Sequence, residues 1–173
     1  MIHTMRLRLE EVTADEVERI RADPPLVGDA RPARWGPGFP LTGTRVATGM
    51  MARQMQEGSY REGFGVYEIV AKKSERVVGD IGFHGPPDRN GAVEVGYGVV
   101  PLCRRQRVAS EALGVLCSWA FEEFEVDIIR ARAEPGNVAS LAVLRKVGFV
   151  DDGVWQGERM FYLLPPEDED EDD

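Results

Sequence analysis

The chain has 173 residues, 43% of them hydrophobic and 29% charged, which is the size and balance of one globular domain with one core. Its net charge is −9, but the seven residues Glu167 to Asp173 are all acidic, so the rest is nearly neutral and lacks the basic footprint that nucleic-acid binding requires. No apolar run approaches the roughly 18 residues of a membrane span, and Met1 to Glu10 carries charge where a signal peptide is apolar, so a cytoplasmic, membrane-free protein is expected. Cys103 and Cys117 stand far apart and in no Cys/His cluster, which argues against a disulfide framework and a metal site and predicts two free thiols.

In chain order, Met5-Arg6-Leu7-Arg8-Leu9 alternates apolar and polar side chains as a half-buried strand does. Thr13-Ala14-Asp15-Glu16 reads as a capping box opening a helix that carries Val17 and Ile20. Five prolines and four glycines between Asp23 and Gly43 predict a long irregular loop, a length that in compact domains often serves function. Its Trp35 and Phe39 are candidate substrate-binding residues, the alternative being that they pin the loop to the core. Val46, Met50, Met51 and Met55 then predict a second amphipathic helix over 44–56, closed by Gly58.

Phe64 to Lys72, Arg76 to Phe83 and Ala92 to Val100 are rich in β-branched and aromatic residues and are broken by turn chemistry, so they predict a three-stranded meander. A helix over Ala109 to Phe121, a strand over Asp127 to Ala133, a helix over Asn137 to Val147 ended by Gly148, and a strand over Arg159 to Leu164 follow. A meander combined with strand-helix-strand units predicts an α/β or α+β sheet covered by helices, one domain over residues 1–164. Residues 165–173 read as a self-repelling, disordered acidic tail.

The segment with the most chemistry is Val93 to Ala112, a strand, a short turn and a helix start. Unpaired amides at a helix N-terminus favour an anion, and Arg104, Arg105 and Arg107 add positive charge there. The segment Arg104-Arg105-Gln106-Arg107-Val108-Ala109, with Ser110-Glu111-Ala112 behind it, resembles the pyrophosphate loop of the GNAT N-acetyltransferases, Arg/Gln-x-x-Gly-x-Gly/Ala. Val93-Glu94-Val95-Gly96-Tyr97 with Pro101, and Pro135-Gly136-Asn137-Val138-Ala139-Ser140 followed by Lys146-Val147-Gly148-Phe149, are similar to two further blocks of that family, most closely in the branch that acetylates ribosomal-protein N-termini (RimJ/RimL-like). One departure stands out: arginines occupy 105 and 107, where the family usually has glycine to let backbone approach phosphate.

The resemblance implies a mixed, mostly antiparallel sheet with helices on both faces and a splayed strand pair holding acetyl-CoA. Val99, Val100, Arg104, Arg105, Gln106, Arg107, Val108, Ala109, Ser110 and Asn137 would bind the cofactor. Acetyl would pass to a primary amine, of a peptide or a small molecule, by direct attack in a ternary complex. A non-catalytic acyl-CoA-binding protein with a degenerate loop is the rival. Glu94 shares a strand face with Gly96 and Gly98 and is the candidate base, with His84 as the alternative. Ser140 is the candidate acid beside the thiol, with Tyr162 in reserve. Asn137 doubles as a helix cap, and Cys103 is expected to be an inert thiol. Exposed strand edges make a homodimer possible.

Overall fold

The computed structural model describes residues 1–123 and 125–167. Two short strands, β1 (Ile2–His3) and β2 (Leu7–Glu11), lead into α1 (Ala14–Arg21), the loop, and α2 (Thr42–Glu57). The meander follows as β3 (Val66–Ala71), β4 (Arg76–Phe83) and β5 (Ala92–Val99). Then come α3 (Val108–Glu123), β6 (Ile128–Ala133), α4 (Val138–Val147), β7 (Val150–Trp155) and β8 (Glu158–Leu163). All eight strands form one sheet in the order β1-β2-β3-β4-β5-β6-β8-β7, antiparallel except for β5 beside β6. Most of the acidic tail lies outside the described residues.

The local signals account for most boundaries. The Thr13–Glu16 capping box forms and starts α1, Gly58 closes α2 in a left-handed conformation and Gly148 closes α4 in the same way. Helix α2 begins at Thr42, two residues inside the expected loop. Its first turn is fixed by Thr44, whose hydroxyl oxygen accepts the Leu41 amide at 3.1 Å. Strand β7 was not expected: Asp151, Asp152 and Gly153 break the apolar pattern, and Gln156-Gly157, both at positive φ, form the tight turn that returns the chain as β8.

Neighbouring residues of β5 show that helices cover both faces. Leu41, at the start of α2, lies over Gly98, whereas the Tyr97 hydroxyl reaches Ser140 of α4, and adjacent strand residues point to opposite faces. Helices α1 and α2 pack together on the first face, and α3 and α4 on the second. Leu9, Ile69, Ile81, Leu113, Leu116, Ile129, Leu144 and Phe161 are fully buried between these layers.

The loop after α1 is a packed strap. Arg31 donates to the carbonyls of Trp35, Gly36 and Phe39, and Trp35 bridges to Val77 of β4. Trp35 and Phe39 are each 3% exposed and meet edge to face. The Trp35 indole donates to buried Glu68, which also pairs with Arg34 at 2.8 Å. Their expected role in substrate binding is therefore corrected: both rings are spent on the core, because burying two aromatic surfaces and one indole N–H anchors an otherwise irregular segment.

Candidate active site

The central geometric feature is a forked strand pair. β5 and β6 pair only from Ala92 with Ile128 to Val95 with Ala131. Beyond that β5 continues to Val99 paired with β4 only, while β6 keeps β8 as its one neighbour. On β5 the even residues address β4: the Glu94 carbonyl accepts from His84, and the Val100 amide donates to Val78. By antiparallel alternation, Tyr97 and Val99 turn their backbone groups into the fork. Val100 was expected to share that task; its amide points the other way and is already bonded. The Val99 carbonyl is taken by the Arg104 guanidinium at 2.9 Å, so the Tyr97 and Val99 amides and the Tyr97 carbonyl are the groups available in the fork.

A cavity of about 640 Å³ opens on the fork, bounded by the turn before α3 and by the first turns of α3 and α4. Val99, Arg104, Arg105, Arg107, Val108, Ala109, Ser110 and Asn137 all line it. Gln106 does not: its carbonyl accepts from Arg6 and its side chain donates to Leu102. Arg105 and Arg107 adopt φ of 59° and 63°, so the loop has the left-handed backbone that glycine would supply, at a cost of about 1–2 kcal/mol per residue. None of Arg104, Arg105 and Arg107 forms an ion pair among the described residues. Left-handed backbone, a helix N-terminus and three uncompensated guanidiniums fit a pyrophosphate, and the fork amides fit an extended amide-bearing arm. Arg6 buttresses the turn, binding both Gln106 and Glu111 of α3.

A second cavity, about 500 Å³, lies on the α2 face of the sheet and meets the first at Tyr97, Gly98 and Arg104. Its floor is bare because Gly82, Gly96 and Gly98 carry no side chain. A Cβ on Gly96 would lie 2.8 Å from the His84 ring, and one on Gly98 the same distance from Leu41. The end of the strap at Leu41 and the first residues of α2, Thr42 and Gly43, line this cavity.

Glu94 borders neither cavity. Its carboxylate binds Arg132 at 2.7 Å and the His84 Nδ1 at 3.2 Å. Burial acts to raise its pKa, but the hydrogen bonds from His84 and Arg132 prevail and hold it below the usual carboxylate range. With Nδ1 turned to Glu94, the other ring nitrogen of His84, Nε2, stands over Gly96 on the cavity wall. The expected base is thus a partner of His84 and the histidine faces the cavity.

Ser140 lies on the wall of the larger cavity. Asn137 caps α4 by accepting the Ser140 amide at 3.1 Å. The Ser140 Oγ meets the Tyr97 hydroxyl at 2.9 Å, a side chain for which the sequence indicated no role. Burial raises the Tyr97 pKa against the opposing hydrogen bond to Ser140, so the phenol is protonated at neutral pH. Tyr162 lies in β8 and borders neither cavity. Cys103 lines the larger cavity, whereas burial pushes the Cys117 thiol up to about 12. No group of three or more His, Cys, Asp or Glu among the described residues could hold a metal.

With this geometry in place, comparison with known proteins decides the family. Residues 6–150 match the family described as acetyltransferase (GNAT) domain. The chain belongs to that family. It is 38% identical over 89 residues to the N-acetyltransferase YjdG of Bacillus subtilis, a match covering 51% of this chain and 53% of that protein. The chain therefore spans about half the length of the curated relatives it matches. Among solved structures, the ribosomal-protein-S5-alanine acetyltransferase of Vibrio fischeri superposes with a TM-score of 0.65 at 15% identity, covering 95% of this chain and 96% of that one. RimL, a ribosomal L7/L12 α-N-protein acetyltransferase solved in complex with coenzyme A, gives 0.64 at 18% identity, covering 93% and 95%. At these identities the likeness is one of fold.

Proposed function

We propose that this protein transfers the acetyl group of acetyl-CoA to a primary amine by direct attack, with the cofactor in the fork and the amine in the smaller cavity. The observation that carries this reading is the junction of the two cavities at Tyr97, Gly98 and Arg104. When bound, acetyl-CoA supplies an activated acetyl thioester. The left-handed turn and the α3 N-terminus hold the pyrophosphate, and Arg105 and Arg107 add charge. A fork amide, of Tyr97 or Val99, donates to the carbonyl oxygen as it gains negative charge.

His84 Nε2 takes the proton from the incoming amine, directly or through one water, and Glu94 orients the ring and stabilises its charged form. Glu94 is a positioning residue on this reading. The Tyr97 hydroxyl meets both the Ser140 Oγ at 2.9 Å and the Ser140 carbonyl at 3.3 Å; with Tyr97 donating to Oγ, the Ser140 hydroxyl hydrogen is the one left for the departing sulfur. No side chain is asked to carry the acetyl group, so Cys103→Ser should retain turnover within about twofold. A trapped acetyl adduct lost together with activity in that variant would refute direct attack.

Calorimetric titration with acetyl-CoA, followed by thiol release across a panel of amines, tests the proposal. Micromolar binding that weakens about tenfold in Arg104→Ala and Arg107→Ala, with amine-dependent release, is expected. Binding without release across the panel would leave an acyl-CoA-binding protein, and no binding would overturn the proposal.

A further inference from the structure

Asp80 is the carboxylate of the smaller cavity, and the reaction above leaves it unused. It sits on β4 opposite Gly98, is 6% exposed, and borders the smaller cavity. Thr44 is its partner, through Oδ2. The Thr44 oxygen accepts the Leu41 amide and its hydroxyl donates to the carboxylate, so Asp80 is the acceptor. Oδ1 has no protein donor among the described residues. It is not sealed either, since no buried side-chain oxygen or nitrogen lacks a partner, so Oδ1 opens to the cavity.

No cation lies within ion-pair distance of Asp80 among the described residues. Arg104, the guanidinium of the same cavity, is turned to the Val99 carbonyl. His84 is turned to Glu94. A carboxylate withdrawn from water without a countercharge is costly, and burial pushes Asp80 up to about 6 against the Thr44 hydrogen bond. The cost is offset if a cationic ligand occupies the cavity.

The attacking nitrogen cannot be that cation, because it must be neutral when it attacks. A lasting partner for Asp80 has to be a second basic nitrogen on the same molecule. Asp80 stands over Gly98 and the His84 Nε2 over Gly96, two residues apart on one strand face and so roughly 7 Å apart. We propose that Asp80 anchors the acceptor, and that the acceptor is a compact diamine-type molecule whose reacting nitrogen and protonated second nitrogen are separated by about four to five bonds. This rests on the acetyl-transfer reading for the reacting end alone.

Two readouts keep the two proposals apart. In calorimetry, 1,4-diaminobutane titrated into protein saturated with coenzyme A should bind at least tenfold tighter than butylamine. Asp80→Asn should abolish that preference, while Thr44→Val, which keeps the charge, should retain it within about threefold. In turnover, diaminobutane should exceed butylamine and a short peptide by at least tenfold in kcat/KM, and Asp80→Asn should erase the margin through KM with kcat within about threefold. Equal binding of the two amines, or a preference that survives in a folded Asp80→Asn protein, overturns the anchor. Diamine binding that depends on Asp80 without any turnover supports the anchor and refutes acetyl transfer instead.

Discussion

Asp80 and Tyr97 carry the most weight per residue, and each rests on a contact with a different element. Asp80 is ionised more reluctantly in the folded chain than in the unfolded one, its pKa being raised from 3.8 to about 6. The folded state therefore binds the extra proton between those values. Stability falls as pH rises through that window, and the deficit is complete above about pH 6. Asp80→Asn removes it, so the variant should unfold at higher denaturant than the parent at pH 7.5, by on the order of 2 kcal/mol. The gap should close near pH 4, and denaturant melts at the two values check it. An unchanged gap across pH would show that the carboxylate is not strained by burial. Tyr97 is the opposite case, a neutral phenol whose position matters more than its charge. Neither role was legible beforehand, because each depends on register: Asp80 faces the cavity floor only once β4 and β5 align it with Gly98, and Tyr97 meets Ser140 only once α4 is docked.

Among the elements, the turn between β5 and α3 shows most clearly what sequence conveys. Its position, charge and helix N-terminus were all readable, whereas the arginines at 105 and 107 suggested decay. The backbone takes the left-handed conformation regardless. Pairing glycine and alanine at 107 separates the two contributions: both lose the guanidinium and should weaken acetyl-CoA binding about equally, but Arg107→Gly should be more stable than Arg107→Ala by about 1 kcal/mol. Equal melting of the two variants would mean that the backbone relaxes out of the left-handed region. The strap is the second instructive element. Its composition spoke against regular structure but gave no sign of where the rings point, and burial was decided by Arg31, Arg34 and Glu68. Trp35→Ala should cost about 3–5 kcal/mol of stability, as expected for a buried ring. In thermal and kinetic assays on the surviving folded fraction, it should leave the KM for the amine within about threefold; a selective rise in KM at full stability would return Trp35 to the substrate site.

At the scale of the whole molecule, the order of elements from β2 to α4 followed from periodicity and caps, and with it a sheet covered by helices; that the sheet is mixed, with helices on both faces, followed from the family resemblance. The two strands that were missed lie toward the ends, β1 with only two residues and β7 with acidic residues and a glycine in place of an apolar pattern. What no local pattern conveys is the fork, since it arises where β5 outruns its pairing with β6. The fork brings the α2-side cavity that holds Asp80 and the basic turn to one junction, and the function proposed here depends on that meeting point. It is tested most directly by amine-dependent release of coenzyme A thiol from acetyl-CoA, followed in the wild-type protein and in Tyr97→Phe. The account predicts release that depends on both substrates and falls about 10- to 100-fold in kcat in the variant, with the KM for acetyl-CoA within twofold. Absence of amine-dependent release in the wild-type protein, or a Tyr97→Phe protein as fast as its parent, would contradict it.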